Sequence, residues 1–405
     1  MTVAGRPRLW TADYAVTLLG TVGFFSSFFY LLSVLPDYID EIGGAKWQVG
    51  VVVGGFNVVP IALRPFAGRW SDRGHRKRLM RIGLVSMAAS LGLMVFSADI
   101  ASLFVLRVVQ GVGAALYPTA SASMVAELSP LSRRGEGLGF FGMSTGIAQT
   151  LTPAIGVAVA ATWGFDAVFL IAAGTAALTL LLTQRVQEPP VAPSPPGASG
   201  TLFPRQALFP MSIFMTVTFS FAATSTFLPL LGDERGLGNV GLFFLVSGAS
   251  NVVARPIAGG ASDRFGRIPV VLPGLALTAV AMWLLALAQG PPLLLASGFV
   301  AGIGLAAAHT GLLALAIDRV EDSARGRATA VLQLAWDISG VGGGIVLGVI
   351  ASALSVAAVY WFAGVLLIGG IAWLLLGEAV RATRLRVEAA RRDPVEATPP
   401  DEARR

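Results

Sequence analysis

The chain has no cysteine, only two histidines, and charged side chains at just 13% of its 405 positions. The absence of cysteine excludes disulfides, thiolate metal sites and a cysteine nucleophile. Two histidines without a neighbouring cluster of acidic residues argue against a metal site built from protein ligands. The phosphate-binding pattern G-x-x-x-x-G-K-[ST] is missing as well. We therefore predict that the protein is not an enzyme and that it needs no cofactor and no metal.

Apolar surface, in contrast, is abundant: 55% of the residues are hydrophobic and the mean hydropathy is +0.73. A water-soluble protein of this size could not bury that many apolar side chains. A stretch of about 20 apolar residues spans the hydrocarbon core of a bilayer. Twelve such stretches occur, at residues 14–36, 47–68, 79–97, 101–126, 137–161, 167–184, 207–231, 239–259, 269–288, 292–317, 327–352 and 356–376. The predicted fold class is therefore an all-α polytopic membrane protein with twelve transmembrane helices.

The basic residues predict its orientation. If the twelve segments alternate across the membrane, 24 of the 29 lysines and arginines fall on the side of the N-terminus, counting Arg81 and Arg327 at the cytoplasmic ends of their segments. Only Lys46 and Arg235 fall on the other side, while Arg64, Arg107 and Arg255 lie within segments. Because cytoplasmic loops are enriched in basic residues, we predict an inner (plasma) membrane protein with both termini in the cytoplasm. The basic stretch RPFAGRWSDRGHRKR, which begins at Arg64, then faces anionic membrane lipids, and no nucleic acid is needed to explain it.

An internal repeat divides the chain into two halves. RPFAGRWSDR at 64–73 returns as RPIAGGASDR at 255–264, and the same offset of 191 residues relates Glu127 to Asp318. Each half carries six predicted spans in the same orientation, as in secondary transporters built from two parallel repeats. We therefore predict two pseudo-symmetric six-helix bundles. The predicted domains are an N-terminal bundle at 1–184, a cytoplasmic linker rich in Pro, Gly and Ser at 185–206, a C-terminal bundle at 207–376 and a cytoplasmic tail at 377–405.

Two motifs resemble those of the major facilitator superfamily. Span four follows L-x-x-x-R-x-x-Q-G-x-G-A-A from Leu103 to Ala115, a pattern that accompanies proton-coupled members of that family. The loop after span two follows G-x-x-x-D-R-x-G-R-[RK], except at His75, and the second half repeats it without the last cation. The matching residues are Gly68, Asp72, Arg73, Arg76 and Lys77, then Gly259, Asp263, Arg264, Gly266 and Arg267. The resemblance covers all twelve spans and implies secondary transport of a small molecule by alternating access. The span-five antiporter motif of the family is poorly matched at Thr152-Pro153-x-x-Gly156, which leaves the direction of transport open.

The resemblance also implies contacts for the loop motif. It places Gly68 against span eleven, Asp72 beside the N-terminus of that helix, and Arg76 next to Glu127. A carboxylate at a helix N-terminus gains about 0.3–1 kcal/mol. Such contacts exist only when the cytoplasmic side is closed, so they would favour an outward-open state. A simple anchor to anionic lipid is the alternative, but it requires neither Gly68 nor Asp72.

The repeat predicts a mirror set in the second half. Asp263 should lie beside the start of span five, and Arg267 should pair with Asp318. We expect both sets to act together as a conformational latch. Its predicted residues are Gly68, Asp72, Arg73, Arg76, Glu127, Gly259, Asp263, Arg264, Arg267 and Asp318.

Asp337 is the one acidic residue that falls deep inside a predicted span. It lies about 15 Å from the cytoplasmic start of span eleven, at a rise of 1.5 Å per residue, and thus near the bilayer centre. A charge there costs at least about 2.5–3.5 kcal/mol, so the side chain should face a cavity or a partner. A carboxylate that gains and loses a proton during transport is the functional interpretation. A permanently protonated acid in a helix-packing hydrogen bond is the alternative.

Other polar residues of the spans complete the candidate site. Arg107 is either the counter-ion of Asp337 or, as the resemblance implies, a modulator of proton release; a snorkelling arginine is the alternative. His309 either titrates near neutral pH or is simply hydrogen-bonded. Arg64 and Arg255 are expected at the membrane interface. The residues expected to line the substrate cavity or to couple protons are Asp337, Arg107, His309, Gln333, Gln110, Asn57, Tyr117, Gln149, Asn251 and Trp336.

The character of the cavity wall suggests the kind of substrate. FFSSFFY at 24–30 and FSFAATSTF at 219–227 combine aromatic side chains with small hydroxyls, which suits amphipathic guests better than sugars. We therefore predict a monomeric, proton-coupled efflux antiporter for small amphipathic or drug-like compounds, of the multidrug-resistance kind. An uptake symporter or facilitator for a sugar or other metabolite is the nearest alternative. A lipid flippase or a non-transporting membrane sensor is a further one.

Overall fold

The computed structural model describes residues 8–32, 34–44, 48, 52, 55–189 and 201–392. Every regular element within these ranges is a helix, which confirms the predicted all-helical class. The α-helices are α1 (Ala12–Leu32), α2 (Leu35–Glu41), α3 (Val58–Asp72), α4 (Arg76–Met94), α5 (Ile100–Leu128), α6 (Arg134–Thr183), α7 (Arg205–Arg235), α8 (Gly241–Phe265), α9 (Ile268–Leu287), α10 (Pro291–Asp318), α11 (Arg325–Ala353) and α12 (Val356–Arg392). Single 3-10 turns at Leu131–Arg133 and Asp322–Ala324 lead into α6 and α11.

The helices follow the predicted spans closely. Within the described ranges, nine helical segments are long and apolar enough to cross a membrane. Span one corresponds to α1, spans two to four to α3, α4 and α5, and spans seven to twelve to the helices with the same numbers. Some predicted positions lie outside the described residues, namely part of span two, most of the linker at 190–200 and the end of the tail at 393–405.

Predicted spans five and six are joined in α6, which is 50 residues long and breaks at Gly164. Gly164 has φ 81° and ψ 175°, a backbone conformation that a residue with a Cβ atom rarely adopts. Glycine makes that turn without steric cost, so one residue reverses the chain where the sequence suggested a longer loop. Functionally, α6 therefore acts as two helices, and only the first of them carries the contacts described below.

The two halves share packing at one end of the molecule. One large buried cluster runs from Phe24 to Val186 within the first half. The other belongs mainly to the second half, but side chains of the first half join it: Leu9, Tyr14, Leu18, Ala122, Val125, Ala126, Leu138 and Phe141. These residues lie at the start of α1, the end of α5 and the start of α6. The loop motifs at 69–78 and 260–267 lie at this same end, which we call the motif end.

Glycines bring pairs of helices into backbone contact at positions related by the repeat. A Cβ atom on Gly113 would lie 2.8 Å from the carbonyl oxygen of Gly83, and one on Gly304 would lie 2.9 Å from that of Gly274. Both contacts are therefore possible only for glycine, as is common where membrane helices approach closely. The offset of 191 residues relates the two pairs, so the repeat found in the sequence is also a repeat of packing.

Candidate functional site

At the motif end, α3 meets the start of α11. The carboxylate of Asp72 accepts hydrogen bonds from the backbone N–H groups of Gly326, at 2.5 Å, and Arg327, at 3.2 Å. Nε of Arg327 also donates to Asp72, at 2.8 Å. A Cβ atom on Gly68 would lie 2.7 Å from Cβ of Ala330, so the two helices touch because Gly68 has no side chain. An anion thus occupies the N-terminus of α11, where the helix dipole favours negative charge.

The same arrangement joins α8 to the start of α6. Asp263 accepts hydrogen bonds from the backbone N–H groups of Gly135 and Glu136, both at 2.8 Å. Gly259 lies against the backbone of Gly135, so closely that any Cβ atom on it would clash. Both predicted helix-terminus contacts are therefore present, and both join one half of the chain to the other.

Two crossed ion pairs accompany these contacts. Nη1 of Arg325 lies 3.0 Å from Glu127, and Nη1 of Arg134 lies 3.3 Å from Asp318. Each of these pairs joins opposite halves, and neither was foreseen from the sequence. The sequence does contain a signal for these ion pairs, because the dipeptides Arg134-Gly135 and Arg325-Gly326 are related by the same offset as the loop motifs.

The loop arginines pair within their own halves, as the resemblance implied. Nη2 of Arg76 lies 3.8 Å from Glu127, and Nε of Arg267 lies 2.8 Å from Asp318. Burial acts to lower the pKa of Arg267, but the carboxylates of Asp318 and Asp263 outweigh it and raise that pKa above its usual value. Arg73 and Arg264, also predicted for this set, are exposed at the surface and lie outside these ion pairs.

Asp337 lies in the interior and forms an ion pair with Arg64. Nη2 of Arg64 donates to Oδ1 of Asp337 at 3.0 Å, and Nε of Arg64 donates to Oδ2. Both side chains are buried, and the pair joins α3 to α11. The sequence prediction placed Arg64 at the membrane interface and did not foresee this buried partner. Arg64 precedes Asp72 by eight residues and therefore lies about 12 Å further from the motif end along α3. It is on the face of α3 that packs against α11.

Arg107 is not the counter-ion of Asp337, contrary to one of the two predicted roles. Its Nε donates to the carbonyl of Val52 at 3.5 Å, and its Nη1 donates to Oε1 of Gln110. Its guanidinium also lies 4.6 Å from the centre of the Phe56 ring. These partners all belong to the first half, so the packing of α5 directs Arg107 away from α11.

A second polar group surrounds Arg255, which is buried rather than interfacial as predicted. Nε of Arg255 donates to Oδ1 of Asn251 at 2.7 Å, and Nδ2 of Asn251 donates to the carbonyl of Gly302 on α10 at 3.0 Å. His309, further along α10, stacks on Phe214 with ring centres 4.8 Å apart. Neither ring nitrogen of His309 has a hydrogen-bond partner among the described residues, so the prediction that it is simply hydrogen-bonded is not met there.

Four of the remaining candidates, Trp336, Gln333, Asn57 and Gln149, lie on α11, against α11 or on α6. Trp336 lies between Phe214 and Phe221 in edge-on contacts, with ring centres 5.7 Å and 5.1 Å away. Buried Gln333 precedes it on α11. Asn57 approaches α11 at Gly340, where a Cβ atom would lie 3.7 Å from its Nδ2. Gln149 on α6 is half-buried.

Two candidates do not line a cavity. Gln110 and Tyr117 are both 0% exposed and belong to the interior of the first half. Tyr117 stacks on Phe24 at 4.2 Å, and Nε2 of Gln110 lies 3.2 Å from the sulfur of Met87. Polar side chains in membrane helices also serve helix packing, which the sequence pattern did not distinguish from cavity lining.

A large groove lies elsewhere, on the outer face of the second half. It has a volume of about 730 Å³ and is lined by apolar residues of α8, α9 and α10, including Val253, Ile257 and Phe299. Ile257 is 66% exposed, so this groove faces away from the polar interior. In a membrane such a surface would contact acyl chains, and it contributes no ionisable group to the site.

Comparison with known proteins supports the interpretation as a transporter. The protein is similar to the multidrug resistance protein MdtG of Klebsiella pneumoniae (strain 342), with 24% identity over 421 aligned positions that cover 99% of each chain. It is also similar to the staphylopine export protein of Staphylococcus aureus (strain Mu50 / ATCC 700699), with 25% identity over 257 residues, 60% of this chain and 63% of that protein.

The fold has solved counterparts as well. The crystal structure of the human organic anion transporter MFSD10 (TETRAN) matches with a TM-score of 0.76 at 18% identity, over 90% of this chain and 100% of that one. At this identity the likeness bears on the fold alone. The model of the Major Facilitator Superfamily matches residues 17–259 and 238–401, which is most of the chain. The protein is therefore a membrane transporter that belongs to the Major Facilitator Superfamily.

Proposed function

We propose that the protein exports small amphipathic compounds in exchange for protons, by alternating access. In this proposal the chain crosses the inner membrane twelve times as a monomer, with bundles at 1–184 and 207–376 and both termini in the cytoplasm. The motif end is then the cytoplasmic end. The excess of basic residues on that side supports the orientation.

The observation that carries the proposal is the buried ion pair between Arg64 and Asp337. It joins the two halves through a carboxylate deep in the membrane, where charge is tolerated only when it is paired. Removing one partner of a buried pair typically costs about 3–5 kcal/mol. Protonation of Asp337 would remove its charge in the same way, so binding a proton would loosen α3 from α11.

This gives a cycle in which one proton replaces one substrate. In the state described here, the motif end is closed and Asp337 is paired. A proton arriving from outside neutralises Asp337, releases Arg64 and lets the motif end open. Substrate entering from the cytoplasm displaces the proton, and the restored carboxylate draws Arg64 back. The cycle thus couples closure of the cytoplasmic side to loss of the proton, which is the order that an exporter needs.

The contacts at the motif end would act as the latch of this cycle. Asp72 and Asp263 each hold the N-terminus of a helix from the opposite half, and the crossed pairs of Arg325 and Arg134 add to them. These groups lie far from the interior polar residues. They would therefore set the balance between open and closed states without touching substrate.

The interior wall supports an amphipathic substrate. Phe221 and Trp336, which are half-buried, are in edge-on contact, and the fully buried Phe214 supports Trp336 from behind. Binding sites for drug-like molecules combine such apolar walls with a few polar groups that fix orientation. The similarity to multidrug resistance proteins points in the same direction.

The test uses the purified protein in proteoliposomes with an imposed pH gradient and a panel of amphipathic compounds. Wild type is expected to concentrate at least one compound against its gradient while protons move the opposite way. Asp337→Asn should abolish that accumulation, whereas Asp166→Asn, the same change at an exposed position, should preserve it. Movement of substrate together with protons would favour the uptake symporter, and intact accumulation by Asp337→Asn would contradict the proposal.

A further inference from the structure

Arg64 and Arg255 occupy equivalent positions of the repeat, yet only one of them has an acidic partner among the described residues. The offset of 191 residues relates them, and they are 6% and 3% exposed. Arg64 pairs with Asp337. The position equivalent to Asp337 in the first half is Gly146, which carries no side chain. The repeat therefore creates a second buried cation and leaves out its carboxylate.

The surroundings of Arg255 do not replace that carboxylate. Its Nε donates to Asn251 at 2.7 Å, and its guanidinium packs against α6 at Gly142, while its backbone lies against Gly139. No acidic side chain of the described residues forms an ion pair with it. A guanidinium has five N–H donors, so one amide oxygen leaves most of them without an acceptor.

Arg107 provides the contrast, because it is equally buried and also has no acidic partner in the part of the chain that the structure describes. Two of its nitrogens nevertheless have acceptors, in Gln110 and in the carbonyl of Val52, and its charge lies over the face of Phe56. Neutral groups can thus partly accommodate a buried arginine in this protein. Among the described residues they provide Arg255 with a single acceptor, Asn251, and no aromatic face.

A second unpaired polar group lies close to Arg255. His309, on the helix that packs against α8, is 7% exposed, and both of its ring nitrogens lack a partner among the described residues. The hydrogen bond from Asn251 to Gly302 fixes α8 against α10, the helix that carries His309. The imidazole stacks on Phe214, with Trp336 6.0 Å away. Two adjacent helices, α8 and α10, therefore each carry a buried side chain with hydrogen-bonding atoms that lack a partner among the described residues.

We infer that Arg255 and His309 form a subsite for the carboxylate of an aromatic or amphipathic monoanion. This rests on the proposed export function and specifies its substrate class. A carboxylate matches the planar fork of a guanidinium, and the apolar body of the substrate would lie on Trp336. Asp337 does not oppose the anion, because in the proposed cycle it is protonated while substrate enters and paired with Arg64 once the motif end has closed.

The location of Arg255 also gives the anion a route. It lies in the contact between α6 and α8, which closes the motif end in this state. When that end opens, α6 and α8 separate and the guanidinium becomes accessible from the same side. The subsite would therefore load substrate from the cytoplasm, as export requires, and close over it as Asp263 returns to the start of α6.

The test compares binding of 2-naphthoate and 2-naphthamide, which share one aromatic body and differ in charge, to the full-length protein in detergent at a fixed pH. A charge-assisted hydrogen bond contributes on the order of tenfold in affinity. Wild type is therefore expected to bind the carboxylate at least about tenfold more tightly than the amide. Arg255→Gln should abolish this preference by weakening naphthoate binding to about the affinity of the amide, and Arg255→Lys should retain part of it. Arg205→Gln, at an exposed arginine, should behave as wild type.

His309→Gln offers a second, independent readout that does not remove the buried charge. It should weaken naphthoate binding severalfold and leave the amide unaffected, while His75→Gln, at the exposed histidine, should change neither. Naphthoate binding that is equally tight in wild type and Arg255→Gln would overturn the inference, as would a wild type that does not discriminate the two compounds.

A transport assay separates this inference from the export proposal. Proton-driven flux of neutral compounds that survives Arg255→Gln, without any preference for carboxylates in wild type, would refute the subsite alone. Carboxylate binding that depends on Arg255, in a protein that moves no compound with a pH gradient, would refute proton-coupled export alone.

Discussion

Nη2 of Arg64 donates to Oδ1 of Asp337 at 3.0 Å, across 273 positions of the sequence and between the two halves of the chain. The residues are 6% and 4% exposed, so water contributes little to the solvation of either charge. A pair of this kind contributes little net stability, yet leaving one member alone is costly. The two residues should therefore behave as a unit, both in stability and in proton binding.

A double-mutant cycle tests that unit. Arg64→Gln is expected to lower the free energy of unfolding in detergent by about 3–5 kcal/mol, because Asp337 is left buried without a partner. Adding Asp337→Asn should recover most of this loss, since glutamine and asparagine are both neutral and able to hydrogen-bond. The measurement is denaturant-induced unfolding, with Arg205→Gln as the exposed control. Additive losses in the double variant would indicate that the two residues do not interact.

Accessibility measurements test the latch at Asp72. The chain has no cysteine, so Ser71→Cys introduces a single thiol at a position that is 0% exposed between α3 and α11. Asp72→Asn removes the anion from the start of α11, a contact that is worth about 0.3–2 kcal/mol. The rate at which a membrane-impermeant maleimide labels this introduced thiol in inside-out vesicles should then rise by about 2- to 30-fold. An unchanged rate would contradict the latch.

Neighbouring glycines provide a matched test of the second contact. A Cβ atom on Gly259 would clash with the backbone of Gly135, whereas one on Gly260 meets nothing within 4 Å. Gly259→Ala is therefore expected to oppose closure of the motif end at a cost of about 1–3 kcal/mol, the range for overpacking. Proton-driven transport should fall severalfold or more in that variant and remain normal in Gly260→Ala. Equal activities would show that close packing at Gly259 is dispensable.

The crossed pairs can be tested by comparing two arginines that share Glu127. Arg325 lies 3.0 Å from Glu127 and belongs to the opposite half, whereas Arg76 lies 3.8 Å away within the same half. Because opening the motif end separates the halves, only the pair with Arg325 must break. In the Ser71→Cys background, Arg325→Gln should therefore increase maleimide labelling more than Arg76→Gln does. If Arg76→Gln increased labelling more than Arg325→Gln, the pair between Arg325 and Glu127 would not be what holds the two halves together.

The contacts at the motif end could be predicted from the sequence because the residues that make them recur in both halves of the repeat. Once Asp72 was expected beside span eleven, the offset alone placed Asp263 beside span five, and Arg76 and Arg267 followed in the same way. Burial of Asp337 was also predictable, since an acid in the middle of an apolar segment cannot face lipid. The same offset of 191 residues could also have predicted the crossed ion pairs of Arg134 and Arg325.

Partners in the interior were not predictable from position along the chain. Arg64 was expected at the interface because it is near a basic loop, and its pairing depends on which face of α3 meets α11. Arg107 is directed by local packing to Gln110 and Phe56 rather than across the molecule. Tyr117 shows the same limit, since a polar residue in a span can be buried between helices as readily as it can line a cavity.

The most direct test of proton exchange at Asp337 counts protons. Purified protein, first equilibrated at a pH at which Asp337 is protonated, receives in weakly buffered detergent solution a substrate identified in the proteoliposome assay, and a pH-sensitive dye reports the protons released. The account predicts about one proton per protein for wild type, since one carboxylate changes its protonation, and none for Asp337→Asn, which still binds the substrate. Release of as many protons by Asp337→Asn as by wild type would contradict it.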